Sequence, residues 1–197
     1  RWDPDAPHFL FAFFNSTHHN YLYPPEFERF TPVIERDYDH FMGDVELSDR
    51  RVEITNRYRN SVLYADSLMD ELVRAVEARA GDSGLVIVIT GDHGEELWEH
   101  GLLGHGAPRF VDERIRVPMV MCVPGGEPMD VPLSAHVDVW PTLFDALGAS
   151  GGPQPSAWSH GWPWGEGARP GAVYVGGLGF PWRNDTAALV DAQRVYW

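Results

Sequence analysis

The run LVIVIT at residues 85–90 constrains this chain more than any other feature. It is apolar and largely β-branched, with no alternation of apolar and polar positions. Such a run reads as a strand covered on both faces, typically the middle of a parallel sheet flanked by helices. A second run, VPMVMCV at 117–123, stops at Pro124-Gly125-Gly126, and a Phe-rich third, HFLFAFF at 8–14, is too short for a helix and reads as another buried strand. The strongest helical signal covers 51–80, where Tyr58, Val62, Ala65, Met69, Leu72 and Val76 recur every three or four positions as one apolar stripe. Gly81 ends that helix and Gly84 closes the turn. Residues 138–147 read as a further helix, with Pro141 in the first turn and Gly148 at its end. Strand, long helix, strand, loop, strand, helix is an α/β order.

The remaining segments are less regular. NSTHHNYLYPP at 15–25 is a polar loop closed by prolines, and 26–50 reads as loop with short helical pieces. Residues 151–170 are rich in Gly, Pro and Trp and mark a boundary, while 172–175 and 186–196 suit strands of a small antiparallel sheet. The expected division is an α/β domain over 1–150 and a small sheet subdomain over 151–197. Trp158, Trp162 and Trp164 suit a carbohydrate or lipid platform, but such clusters more often pin a loop to a core.

Charge narrows the partners. Fifteen basic residues against 29 acidic ones leave a net charge of −14, which argues against nucleic acid and anionic lipid. An anionic substrate stays open, because a bound cation reverses the local sign. Cys122 is the only cysteine, so no intramolecular disulfide forms, and within its apolar run it reads as a small hydrophobe. No apolar run is long enough to span a membrane. Arg1-Trp2-Asp3-Pro4 leads almost directly into an apolar run without a start methionine or targeting segment, so the chain is expected to be a piece of something longer.

In a doubly wound sheet, ligands bind beyond the carboxyl ends of the strands. Directly after LVIVIT stands GDHGEELWEHGLLGHG, residues 91–106. Asp92 and His93 would point to opposite faces of a regular strand, but Gly91 and Gly94 permit a path that turns both toward one point. A carboxylate with an imidazole suits Zn or Mn better than Ca, which prefers oxygen alone. His105, between Gly104 and Gly106, is a third member of the group. An isolated Asp-His pair is more often a hydrogen-bonded turn; the added imidazole, the strand-end position and the glycines bring a metal site level with that reading. His100, among Glu95, Glu96 and Glu99, reads as solvated or structural, and His136 as a cap or a rim residue. His18 and His19 reach the same rim if the first strand runs parallel to LVIVIT.

Taken in order, FLFAFFNSTHHNYLYP, YRNSVLYADSLMDELV, LVIVITGDHGEELWEHGLLGHG, ERIRVPMVMCVPG and SAHVDVWPTLFDALG resemble the C-terminal part of the sulfatase branch of the alkaline phosphatase superfamily over about residues 8–150. The resemblance implies an α/β sandwich with a mostly parallel central sheet flanked by helices, plus a small C-terminal antiparallel sheet. It implies metal-dependent hydrolysis or transfer of sulfate or phosphate esters outside the cytoplasm. Asp92 and His93 match the metal-binding pair, His105 a residue facing the ester oxygens, and His19, or else His18, the histidine of the substrate-side loop. The Asp-His form resembles phosphonate monoester hydrolases and the membrane-anchored lipoteichoic-acid-synthase and phosphoethanolamine-transferase types rather than Ca-dependent arylsulfatases. The signature Cys-x-Pro-x-Arg is absent, since Cys122-Val123-Pro124 continues with Gly125-Gly126. The nucleophile and further acidic ligands are expected in a missing N-terminal half, so the isolated chain is expected to be inactive. Ester hydrolysis is the first expectation; head-group transfer and a non-catalytic regulatory role are the alternatives.

Overall fold

In chain order the elements are α1 (Arg51–Ala80), β1 (Ile87–Thr90), β2 (Glu96–Leu97), β3 (Leu103–Gly104), α2 (Asp112–Ile115), β4 (Met119–Cys122), α3 (Val139–Ala146), β5 (Val173–Gly177), β6 (Thr186–Val190) and β7 (Val195–Tyr196). Single 3-10 turns stand at Pro25–Phe27, His136–Asp138 and Trp164–Glu166. This computed structural model describes residues 3, 6–39, 47–81, 84–105, 109–149, 159–166, 169, 171–177 and 186–196. Two units divide the chain, one of Arg1–Leu85 with Glu95–Gly104, the other of Val86–Gly94 with His105–Trp197.

In the first unit α1 covers the expected span and stops at Gly81, whose φ of +52° a residue with a Cβ adopts only with strain. Its inward face differs from the expected stripe. Val62 is 41% exposed, whereas Ile54, Asn56, Arg57, Asn60, Ser61 and Ala65 are buried. The reason is that polar side chains on this face serve the backbone of the preceding loop. Asn60 Oδ1 accepts from the amides of Arg29 and Phe30, and its Nδ2 donates to Phe30 O and Tyr23 Oη. Arg57 donates to Asn20 O and Ile34 O, and Asn56 to Pro32 O. Loop backbone buried away from water needs such partners, and apolar residues there would leave it unsatisfied. The core beside it gathers Tyr21, Ile34, Tyr38, Leu47, Ile54 and Trp98.

β2 and β3 form an antiparallel hairpin that pairs Glu96 with Gly104 and Leu97 with Leu103. Glu96 is fully buried, and its Oε1 accepts from the amides of His100 and Leu102, so this carboxylate closes its own hairpin. Residues 8–14 do not meet the expectation of a buried strand. They pair with no strand among the described residues, and Phe9 and Phe11 are about three-quarters exposed, at 74% and 75%. An apolar run is buried as a strand only where a neighbour takes its backbone hydrogen bonds.

In the second unit β1 pairs with β4 antiparallel, Ile87 opposite Cys122 and Thr90 opposite Met119. A mostly parallel central sheet is therefore not found among the described residues. Parallel neighbours need a crossover, usually a helix, and among the described residues the chain between β1 and β4 carries a hairpin and the one-turn α2. The two-stranded ribbon also leaves apolar side chains open: Val120 is 52% exposed, and Cys122 is exposed rather than buried. The small C-terminal sheet matches expectation, with β5, β6 and β7 antiparallel in that order.

The segment SAHVDVWPT is an internal anchor of this unit. Asp138 is 1% exposed. Its Oδ2 accepts from Ala135 N and Ser134 Oγ, and its Oδ1 from Trp162 N and the Arg169 guanidinium. Thr142 Oγ1 donates to Asp138 O and accepts from Trp164 N, while Trp164 Nε1 donates to Ser134 Oγ. Trp162 and Trp164 thus pin a loop; Trp158 lies outside the described residues. No helix among the described residues is long and apolar enough to cross a membrane.

Candidate functional site

In the second unit the end of β1 delivers Gly91, Asp92 and His93 on irregular backbone. His93 N donates to Asp92 Oδ1 at 3.1 Å, and His93 Nδ1 lies 3.0 Å from Gly94 O. The remaining ring nitrogen, Nε2, stands 3.7 Å from Asp92 Oδ2. Two donors each about 2.1 Å from one ion are separated by less than about 4.2 Å, so this spacing suits a shared cation. The two groups therefore converge rather than diverge. The His105 ring stacks on His93 with 3.9 Å between centroids and 38° between planes.

Gly94 makes that path possible. Its N–H donates to Arg114 O at 2.8 Å, and a Cβ there would stand 2.0 Å from Glu113 O. Only glycine lets the chain pass so close while turning His93 and its neighbours. His136 approaches from the turn before α3, with Nε2 2.8 Å from Gly91 O. That contact with backbone fits a structural role as well as a place on the rim.

In the first unit the loop 15–25 carries His18 and His19. Their rings meet edge-on at 5.7 Å, and His18, which is exposed, points its Nδ1 at His19 O. His19 is the more buried of the two, and its Nε2 lies 3.9 Å from Glu95 Oε1. Gly104, with φ +85°, leaves room for that ring, since a Cβ there would stand 3.2 Å from His19 Nε2. Tyr21 completes the group: its hydroxyl donates to Glu95 Oε1 at 2.6 Å. Burial above all, and then the Glu95 charge, push the Tyr21 hydroxyl far above the ordinary tyrosine range, so it stays a donor.

Within the second unit Asp92 and His93 offer a carboxylate beside an imidazole. That is a mixed donor set, which fits Zn or Mn better than an all-oxygen ion such as Ca. Glu95 is hard to single out by sequence because GDHGEELWEHG offers three glutamates without a period to separate them. The structure tells them apart: Glu96 closes its hairpin, Glu99 accepts from Leu97 N, and Glu95 meets Tyr21 and His19.

A family model described as Sulfatase matches residues 2–149. The chain is 30% identical over 101 residues to "Phosphoethanolamine transferase EptA" of Salmonella typhimurium, which covers 50% of this chain and 17% of that protein. It is 28% identical over 100 residues to the protein of the same name from Helicobacter pylori, covering 49% of this chain and 19% of that one. It is 30% identical over 93 residues to "Uncharacterized sulfatase YidJ" of Escherichia coli, covering 44% of this chain and 18% of that one. The chain thus spans under one-fifth of the length of these curated relatives. No solved structure matches it. Because the family match takes in most of the chain, including the long helix, GDHGE, GHG and HVD, the chain belongs to the Sulfatase family of the alkaline phosphatase superfamily, with its α/β class of fold.

Proposed function

We propose that the protein is a metal-dependent transferase of phospho-alcohol head groups, with a phosphoethanolamine ester as the first candidate substrate, working outside the cytoplasm. The observation that carries this reading is the convergence of Asp92 Oδ2 and His93 Nε2, 3.7 Å apart, with His105 stacked on the same imidazole. Asp92 and His93 are the side chains proposed to hold the cation, and His105 and His19, or else His18, to meet the ester oxygens. A bound divalent cation supplies a local positive charge that polarises the ester, and it does so in a chain whose own net charge is −14. His105 stabilises charge developing on the ester oxygens or protonates the leaving alcohol. Within the first unit, the His19 ring is seated against Glu95. The names of the EptA relatives favour transfer over hydrolysis.

A second reading, hydrolysis of a sulfate or phosphate ester, is favoured by the likeness to the sulfatase named YidJ. One assay separates the two. The full-length protein is given a lipid bearing a phosphoethanolamine head, with and without an acceptor glycolipid, and in parallel an aryl sulfate and a bis-aryl phosphate. Transfer predicts acceptor-dependent release of the lipid alcohol. Hydrolysis predicts turnover with water alone. Asp92→Ala and His93→Ala should each lower whichever rate is found by at least about 100-fold. No turnover of any of these substrates by the intact protein would reject both readings and leave a regulatory domain.

A further inference from the structure

We propose that Arg57 is a positioning residue for the substrate-side histidine loop, its guanidinium fixing the backbone that carries His19. The proposal rests on the reading of His19, or else His18, as a group that meets the ester oxygens, and every residue in it belongs to the first unit. Arg57 stands on α1 at 5% exposure, and its hydrogen bonds among the described residues go to backbone carbonyls rather than to a carboxylate. Nε donates to Asn20 O at 2.7 Å and Nη1 to Ile34 O at 3.2 Å, 37 and 23 positions earlier in the chain. The guanidinium carbon also lies 5.4 Å from the centre of the Tyr23 ring. A buried charge is normally paired with an opposite one, and holding it on neutral carbonyls costs stability. What such a placement provides is geometry: the planar fork of an arginine sets two acceptors at once, in a fixed relation.

One end of that fork is attached beside the histidines. Asn20 C=O and Tyr21 N–H belong to one peptide plane, which is rigid. Its carbonyl accepts from Arg57, and its N–H donates to His18 O at 2.6 Å, closing the turn in which both histidines stand. One plane is therefore held at both ends, with His19 the residue before it. The turn needs that hold, because Tyr21 has φ +54°, in the left-handed region that bulky residues avoid, and such strain persists where the surroundings dictate one conformation. Tyr58, the neighbour of Arg57 on α1, meets the Tyr21 ring edge-on at 5.2 Å, and that ring lies 5.3 Å from the His19 ring. The helix thus sets the turn through its backbone and through its side chains.

The test uses the full-length protein. Its readouts are amide hydrogen exchange of residues 18–23 by mass spectrometry, and kcat and KM on the phosphoethanolamine lipid with its acceptor, or on the aryl sulfate or bis-aryl phosphate if water is the acceptor. Arg57→Met removes the fork; it should speed exchange at 18–23 by at least about tenfold and lower kcat by about 10–100-fold with little change in KM. Arg57→Lys, a point donor that does not bridge both carbonyls, should recover part of both losses. Asn60→Ala is the control for stability: it removes bonds to Tyr23, Arg29 and Phe30 rather than to the turn, so kcat of the folded variant should match the wild type. His19→Ala and His18→Ala show which imidazole serves, and adding Arg57→Met to the one that loses activity should speed exchange but bring no further loss of kcat. Wild-type kcat in both histidine variants, or no turnover by the wild type, overturns the reading on which the proposal rests. Loss in a histidine variant with wild-type kcat or wild-type exchange in Arg57→Met, additive losses in the double variant, or an equal kcat loss in Asn60→Ala overturns the positioning role alone. If Arg57→Met does not fold, Arg57→Lys decides the matter: it should keep KM, exchange faster at 18–23 and lose at least about fivefold in kcat, and wild-type values there overturn the proposal.

Discussion

His136 Nε2 lies 2.8 Å from the carbonyl oxygen of Gly91, the residue that introduces Asp92 and His93. The imidazole must donate there, since a carbonyl only accepts. This bond ties the turn ahead of α3 to the segment that shapes the proposed metal pair. His136→Ala should lower kcat and metal affinity about tenfold, the usual scale for a residue that supports ligands without touching the ion. His136→Gln, which keeps a donor, should recover part of the loss. Metal content and steady-state kinetics of both variants check this, and unchanged values in His136→Ala would contradict it.

Asn60 is the second test, and its readout is stability. It satisfies two loop amides, a carbonyl and the Tyr23 hydroxyl from a fully buried position on α1. Asn60→Ala should destabilise the protein by about 3 kcal/mol, because buried backbone groups lose their partners. Chemical denaturation measures it, and a loss below about 0.5 kcal/mol would mean that water replaces the amide freely.

The Asp138–Arg169 pair makes a sharper claim. Asp138 is almost wholly enclosed, and it also holds Trp162 and the turn at Ser134. Asp138→Ala leaves the guanidinium without its counter-charge and should cost about 3–5 kcal/mol. Arg169→Met should cost less, since Asp138 keeps its amide and hydroxyl donors. The reverse order would show that the arginine, not the aspartate, organises the segment.

Alkaline pH addresses the tyrosine core. Burial, opposed by Arg57 and reinforced by Glu95, pushes the Tyr38 hydroxyl up to about 12, above the ordinary value near 10. Below about pH 10 both folded and unfolded chains keep this proton, and the stabilisation is complete. Between about 10 and 12 the unfolded chain releases it while the folded chain does not, so stability falls as pH rises and levels off beyond. Tyr38→Phe should flatten part of that fall. Thermal unfolding from pH 8 to 12 checks it, and identical profiles for the two proteins would contradict it.

How much of the fold is legible in the sequence depends on how local each signal is. The span of α1 and its stop at Gly81 are readable because period and punctuation lie within a few residues. Its buried face is not, because Asn56, Arg57 and Asn60 face inward to serve loop backbone contributed from 23 to 31 positions earlier. LVIVIT is readable as a strand but not in its pairing, since apolar composition is silent about the direction of the neighbour, which here is antiparallel β4. At the site, glycines beside Asp92, His93 and His105 announce irregular backbone in advance. Glu95 is hidden among other glutamates until Tyr21 and His19 are seen against it.

The Asp92 carboxylate and the His93 imidazole holding one cation is the central claim. The direct measurement is the metal content of the full-length protein after exhaustive gel filtration, compared with Asp92→Ala and His93→Ala that keep the wild-type far-ultraviolet circular dichroism. The account predicts bound Zn or Mn in the wild type and its loss from both variants, along with activity. Metal retained at the wild-type level in both folded variants would contradict it.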